Sequence, residues 1–301
     1  MNEIDKLKDE VDLLEILTVL WDNKIKITVL VTFFAIASVV YSLSIPNQYK
    51  ASTTLAISDT INNKISPGIG GQLGGLASLA GVNVSSGQST SNDQIALEIM
   101  QSWSFIETFI SDNDIAPDLF SASGWNESKN ELVYDKNIYN FDDGKWQIDP
   151  PTSWDLFQAF KGILSISQDS KTGLIYVSIE FYSPRVAKKW LDLYVDSINK
   201  HMQERKMLEV TRNITYLEDE ILKTSVSEMR EVFYSIIQEQ TKEKMLAAVS
   251  PQYAFIAVNP SMIPQEKSKP RRSFICIVGT LFGAFISILF VLMRRYGFNI
   301  S

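Results

Sequence analysis

The sequence predicts an α+β fold in which two transmembrane helices flank an α/β base domain that carries a long helical arm. Three observations carry that expectation. Residues 273–293 (SFICIVGTLFGAFISILFVLM) run 21 positions without a charge, between Arg271/Arg272 and Arg294/Arg295. At about 1.5 Å per helical residue such a run matches a hydrocarbon core of ~30 Å. A second uncharged run of 19 residues, 27–45 (ITVLVTFFAIASVVYSLSI), follows Lys24 and Lys26 and ends at Pro46. Between them lies a segment with both period-2 and period-3.6 patterning, which includes one stretch from Pro184 to about 224 with no Gly or Pro.

The boundaries follow from these features. Residues 1–26 form a tail in which Val11, Leu14, Leu17 and Leu20/Trp21 share one face of a short helix, suited either to the membrane interface or to a plain lead-in. Residues 27–45 form the first span, too long for a signal peptide and set too far from the N-terminus. Residues 46–272 are the large domain, 273–293 the second span and 294–301 a short tail. Positive charge close to short tails marks the cytoplasmic side. Lys24/Lys26 and Arg294/Arg295 therefore put both termini in the cytoplasm and the bulk of the chain outside the inner membrane, in the periplasm. Lys267 to Arg272 run against this assignment but belong to a long loop, which the rule largely exempts.

Within the large domain, Ala51, Thr53, Leu55 and Ile57 alternate with small polar residues and predict a strand. The Gly- and Ser-rich stretch 66–91 contains no phosphate-binding loop and reads as a flexible segment. Ile95, Ile99, Trp103, Ile106 and Ile110 have the spacing of one amphipathic helix, 92–110. Residues 111–151 are polar, aromatic and aperiodic and read as loop. Ser153 caps a short helix through Phe160, and strands follow at 162–168 and 174–182 around an Asp-Ser-Lys-Thr-Gly turn.

Ser183-Pro184 is a helix start, with an N-cap hydroxyl and proline at the first helical position. The helix 184–224 would be about 60 Å long. Ala187, Trp190, Leu191, Tyr194, Ile198, Met202 and Leu208 lie on one side, whereas Val210, Ile214, Leu217 and Ile221 lie roughly 150° round from them. The lower half thus suits the base, and the upper half needs another helix, from this chain or from a second copy. Ser225-Val226-Ser227-Glu228 reads as a capping box opening a second helix, 226–249. A strand at 253–258 then returns towards the membrane. Pro260, Pro264 and Pro270 keep the approach to the second span extended, as Pro46 does after the first.

The chemistry-bearing residues are few. One Cys, one His, 28 cations against 35 acids and a net charge of −7 leave no zinc-ligand set and no basic face for nucleic acid. Cys276 lies inside the second span and His201 on the long helix. Acids such as Glu218, Asp219, Glu220, Glu239 and Glu243 stand beside lysines in the pattern of solvated helix faces. No pair is singled out as a glycosidase would require. No catalytic, cofactor-binding or metal residue is therefore assigned. Gly279 and Gly283 form a GxxxG pair that admits a close helix neighbour, and with Ile214, Leu217 and Ile221 they are the candidate packing and assembly positions.

At this point DLLEILTVLWDNKIKITVLVTFFAIASVVYSLSIPNQYKASTTLAIS (12–58) and REVFYSIIQEQTKEKMLAAVSPQYAFIAVNPSMIPQEKSKPRRSFI (230–275) with the span after it resemble bacterial polysaccharide chain-length determinants, the Wzz-type co-polymerases. GGQLGGLASLAGV and FYSPRVAKKWLDLYVDSIN also fit, and only about 111–151 lies outside the resemblance. It implies a non-catalytic homo-oligomer of the inner membrane that sets the modal length of O-antigen or a related glycan. It also implies a polysaccharide polymerase in the same membrane as partner, and a lipid-linked glycan as the molecule handled. The absence of a Walker motif and of a tyrosine-rich tail after Met293 separates the chain from the tyrosine-kinase branch. The rival readings are a two-span periplasmic sensor or adaptor and a periplasmic glycan-processing enzyme.

Overall fold

The computed structural model describes residues 13–58 and 88–296. Most of the Gly-rich stretch 66–91, the first part of the N-terminal tail and the last five residues lie outside the described residues. The chain divides into two units, one made of Met1–Asn47 with Lys267–Ser301 and the other of Gln48–Glu266.

The first unit holds α1 (Leu13–Asp22), α2 (Lys24–Ser44) and the helix that starts again at Arg272. Asn23 joins α1 to α2: its Nδ2 donates to the Val19 carbonyl at 2.9 Å and its Oδ1 accepts from Lys26 Nζ at 2.9 Å. Lys24 Nζ sits 4.7 Å above the exposed Trp21 ring, so a cation and an indole share the start of the apolar helix. Among its described residues α2 buries only Ser42, and Val29, Phe33, Ile36, Val39, Val40 and Tyr41 face outwards.

In the second unit β1 (Gln48–Ile57) is central. Ala51, Thr53 and Leu55 are buried while their neighbours are not, as the alternation predicts. Next come α3 (Gln88–Gln101), α4 (Trp103–Asp112) and α5 (Ala116–Ser121). The expected single helix 92–110 is thus two helices. Ser102 breaks it, taking extended backbone angles and accepting from the Phe105 N–H as the N-cap of α4. The core face differs too: Ala96, Met100, Phe105, Ile106, Phe109 and Ile110 are buried, whereas Ile95 and Trp103 are exposed.

The stretch 111–151 is not loop throughout. It contains α5 and two small hairpins, β2 (Ala122–Asn126) with β3 (Glu131–Tyr134) and β4 (Tyr139–Asn140) with β5 (Lys145–Trp146). Tyr134, Tyr139, Phe141 and Trp146 pack ring on ring there, with the Tyr134 and Phe141 centroids 4.1 Å apart. Hairpins this short have no periodicity to read, so the aromatics hold them.

Then α6 (Ser153–Ile163) starts one residue earlier than the sequence suggests: Thr152, not Ser153, is the N-cap, in a reciprocal capping box with Asp155. Strands β6 (Leu164–Gln168) and β7 (Ile175–Phe181) follow, joined by a turn in which Asp169 Oδ1 accepts from the Lys171 and Thr172 N–H groups and Gly173 takes φ +72°. Helix α7 (Pro184–Lys223) is continuous over 40 residues, α8 (Ser227–Val249) turns back along it, and β8 (Phe255–Asn259) re-enters the sheet. The strand order is β6-β7-β1-β8, with Tyr49 opposite Phe181, Leu164 opposite Ile179, and a register break at Thr54/Leu55 against β8.

One face of this sheet is the core. Ile175, Val177, Ile179 and Phe181 are buried against Ala187, Trp190, Leu191, Tyr194 and Ile198 of α7. Tyr194 is fully enclosed by Phe105, Phe109 and Phe160, at centroid distances of 5.4, 5.1 and 5.6 Å, and its hydroxyl donates to the Met100 carbonyl. Burial therefore raises the Tyr194 hydroxyl pKa far above the ordinary phenol range.

Candidate assembly site

Helix α9 (Arg272–Tyr296) runs antiparallel to α2, and the contact is built on its two glycines. A methyl group added at Gly279 would stand 2.5 Å from Ser38 Oγ, and one added at Gly283 would stand 2.5 Å from Phe34 Cβ. No real Cβ comes so close, so the helix backbones meet at a distance only glycine allows. Ser38 Oγ uses that closeness to donate to the Ile275 carbonyl at 3.0 Å. The Phe34 and Phe282 rings meet edge to face at 6.4 Å. Both helices are long and apolar enough to cross a membrane, and Val29, Phe33, Ile36, Val40, Leu281 and Phe285 remain exposed around the pair. The structure thus brings Gly279 and Gly283 against partners that sequence reasoning did not name, Ser38 and Phe34.

The second candidate surface is the helical arm. Along α7 the apolar face changes after Met202, as the sequence indicates, except that Leu208 is exposed and belongs to neither stripe. The partner of the upper stripe is the chain's own α8. Val210 is fully buried, while Ile214, Leu217 and Ile221 are half-buried. Gln203 Nε2 donates to the Ala247 carbonyl at 2.7 Å, Lys206 Nζ lies 3.0 Å from Glu243 Oε2, and Asn213 Nδ2 donates to Gln240 Oε1 at 3.3 Å. The face switch is therefore answered inside the chain and does not by itself call for a second copy. At the tip, the expected capping box is absent: Val226 is the N-cap of α8 and makes no side-chain bond, since β-branched Val supplies no oxygen.

The arm keeps apolar residues facing outwards. Met245, Leu246 and Val249 are exposed and line a shallow groove with Gln238, Thr241 and Lys242. Tyr216 and Leu222 are exposed on α7. The juxtamembrane prolines lie in irregular chain: Pro46 just after α2, and Pro260 and Pro264 before Lys267, with Pro270 just ahead of α9.

Several of the titratable residues singled out from the sequence are engaged in structure. Glu220 pairs with Lys223 at 2.9 Å and Glu239 with Lys242 at 3.8 Å, while the His201 ring packs edge-on against Phe105 at 5.5 Å. Burial, and then the nearby Glu243 and Glu209 carboxylates, push the Tyr253 hydroxyl up to about 12. Asp118 accepts from Tyr134 Oη at 3.0 Å; burial raises its carboxyl pKa, against the opposing pull of that bond and of Lys189. Among the described residues, no group of three or more His, Cys, Asp or Glu is placed to hold a metal ion.

The chain thus holds a close-packed pair of apolar helices in one unit and a sheet with a helical arm in the other. Residues 9–113 match the family model for the chain length determinant protein, Wzz. The match covers α1, α2, β1, α3 and α4, and it bears out the resemblance read from residues 12–58. A solved structure described as a full-length bacterial polysaccharide co-polymerase is similar at 14% identity over 96% of this chain and 99% of that one, with a TM-score of 0.41. A fragment of WzzB, a polysaccharide co-polymerase from Salmonella Typhimurium, is similar at 11% identity over 74% of this chain and 100% of that one, with a TM-score of 0.28. No curated protein matches the chain by sequence.

Proposed function

We propose that this chain is a non-catalytic scaffold of the bacterial inner membrane that regulates the modal length of a surface polysaccharide, O-antigen or a related glycan, together with its polymerase. The observation that carries the reading is the match of residues 9–113 to the chain length determinant model. The two apolar helices and their glycine-built contact support it, since they give the chain a membrane anchor without a catalytic group in the contact. Both termini are cytoplasmic and residues 46–272 periplasmic, an orientation supported by Lys24/Lys26 and Arg294/Arg295. The working form is a homo-oligomer, and the outward apolar groove at Met245, Leu246 and Val249 is the surface best suited to a neighbouring copy.

Two experiments test this. Electrophoresis of surface polysaccharide from cells with and without the protein should show a clustered length distribution only where it is present. An unchanged distribution contradicts the function. For the topology, single cysteines at Ser123 and Ser301, in a chain carrying Cys276→Ser, should differ in labelling by an impermeant thiol reagent in intact cells. Equal labelling contradicts it.

A further inference from the structure

Four cations fall within six residues just ahead of the second apolar helix: Lys267, Lys269, Arg271 and Arg272. On the orientation proposed above they stand on the outer side of the membrane, against the usual bias of positive charge towards the cytoplasm. The apolar run 273–293 is about 30 Å long as a helix, so Arg271 and Arg272 lie at the depth of the outer headgroups. Among the described residues, no carboxylate forms an ion pair with Lys267, Arg271 or Arg272. Lys267 and Arg271 are exposed.

Arg272 is held in place but only partly satisfied. One Nη of its guanidinium donates to Asn47 Oδ1 at 3.1 Å, which ties the start of α9 to the residues just after α2 and fixes the plane of the fork. The Nε of the same fork is shielded from water and has no acceptor among the described residues. The guanidinium keeps its charge whatever its partners, and its N–H groups other than the shielded Nε and the one held by Asn47 are left to donate to a phosphate oxygen. Arg272 also begins α9, so the positive end of a 25-residue helix adds to the same field.

We propose that Lys267, Arg271 and Arg272, with Asn47 as the residue that positions the fork, bind the phosphate of a lipid at the outer face of the membrane. The shared chemistry is a phosphate ester on a hydrocarbon chain, which two sources supply: the headgroup of an anionic phospholipid, or the diphosphate of a polyprenyl carrier bearing a glycan. The inference rests on the two-span reading. It goes beyond that reading by giving the scaffold a lipid site of its own.

The test uses the purified full-length protein in detergent, with bound lipid counted by native mass spectrometry. The probes are farnesyl diphosphate against farnesol, and phosphatidylglycerol against diacylglycerol. At least one phosphate-bearing probe should bind in preference to its phosphate-free counterpart, and which one does so identifies the source. Arg271→Gln with Arg272→Gln should weaken that binding roughly thirtyfold, since each cation beside an anionic lipid surface contributes about fivefold. Arg271→Gln alone, at an exposed position, should weaken it about fivefold and leaves the fork of Arg272 intact. Arg271→Lys with Arg272→Lys should lose less than the Gln pair. Arg294→Gln with Arg295→Gln, at the other end of the helix, should bind as wild type. No preference for phosphate, equal binding by the wild type and both Gln variants, or an equal loss from the Arg294/Arg295 pair overturns the proposal. Lipid binding is read in vitro without any polymerase, so its failure is separate from a failure of length control in cells.

Discussion

Asn199, in the middle of α7, clamps the backbone at Phe255, the first residue of β8: its Oδ1 accepts from the Ala254 and Phe255 N–H groups at 2.8 Å each, and its Nδ2 donates to the Phe255 carbonyl at 3.0 Å. The chain arrives there from the helical arm, and an edge strand has no neighbour on its outer side to set its register. One buried carboxamide does so instead, which couples the foot of the arm to the sheet.

Asn199→Ala should therefore cost about 3 kcal/mol, because three buried backbone groups lose their partners together with the cavity left behind. Asn199→Asp keeps both acceptor bonds, loses the donor and buries a charge, so it should be as harmful near neutral pH and milder in acid. Thermal unfolding of the full chain in detergent measures both. A change of under 0.5 kcal/mol for the alanine variant would show that the clamp is incidental.

The Asp118–Tyr134 bond predicts a pH dependence with a definite sign. Burial raises the Asp118 carboxyl pKa in the folded state, so its contribution is fully present below the unfolded value and lost as pH rises through the raised one. Asp118→Asn retains an acceptor for Tyr134 Oη and removes the half-buried charge. It should gain stability relative to wild type between pH 4 and pH 7. Tyr134→Phe leaves the carboxyl without its donor and should cost about 1–2 kcal/mol, more at pH 7 than at pH 4. Melting curves at the two pH values decide; a constant difference between Asp118→Asn and wild type contradicts the assignment.

On the arm, the two apolar faces should separate in their effects. Ile214→Asp with Leu217→Asp places charge on the half-buried stripe that follows Val210, where α7 and α8 are bonded to each other, and should destabilise that hairpin. Met245→Glu with Val249→Glu changes only exposed side chains. It should leave the fold intact and shift the size of the particle in detergent, if that groove is where copies meet. Mass photometry reads the size and circular dichroism the helix content. An unchanged particle for the Met245/Val249 variant removes the groove from the assembly.

Where a single physical rule acted over a long stretch, the sequence was readable. The two apolar helices follow from length and charge alone, and Ile175, Val177, Ile179 and Phe181 occupy the face that alternation assigns them. Reading failed where a single side chain outweighed a periodic pattern. Ser102 splits a plausible helix through one hydroxyl, and the hairpins of 122–146 rest on aromatic contacts between residues with no common period. Asn199 gave no signal, because a polar residue on a long charged helix looks solvated until the returning strand is in place. The candidate packing glycines were legible as a spacing. Their partners Ser38 and Phe34 were not, since nothing in one helix states which face of another it will meet.

A GxxxG pair read from sequence predicts only that some helix comes close; here the first atom beyond Cα at Gly279 already overlaps Ser38 Oγ, and at Gly283 it overlaps Phe34 Cβ. Ser38 Oγ can rotate away, at the expense of its bond to the Ile275 carbonyl, but Ser38 Cβ, 2.6 Å from the same added methyl, is fixed to the backbone just as Phe34 Cβ is. At Gly283 the methyl also meets the first ring atom of Phe34, Cγ, at 2.9 Å. Gly279→Ala and Gly283→Ala should therefore both force the two helix backbones apart. Either leucine variant should push α2 and α9 apart. Cysteines introduced at Phe34 and Phe282 in a Cys276→Ser chain give a direct readout: oxidative crosslinking should be highest with the wild-type glycines, lower for Gly279→Ala and for Gly283→Ala, and lowest for Gly283→Leu. If length control depends on this contact, the clustering of surface polysaccharide should degrade in the same order. Equal crosslinking across the series would show that the helices do not meet at these glycines, and the contact would then have to be sought on another face.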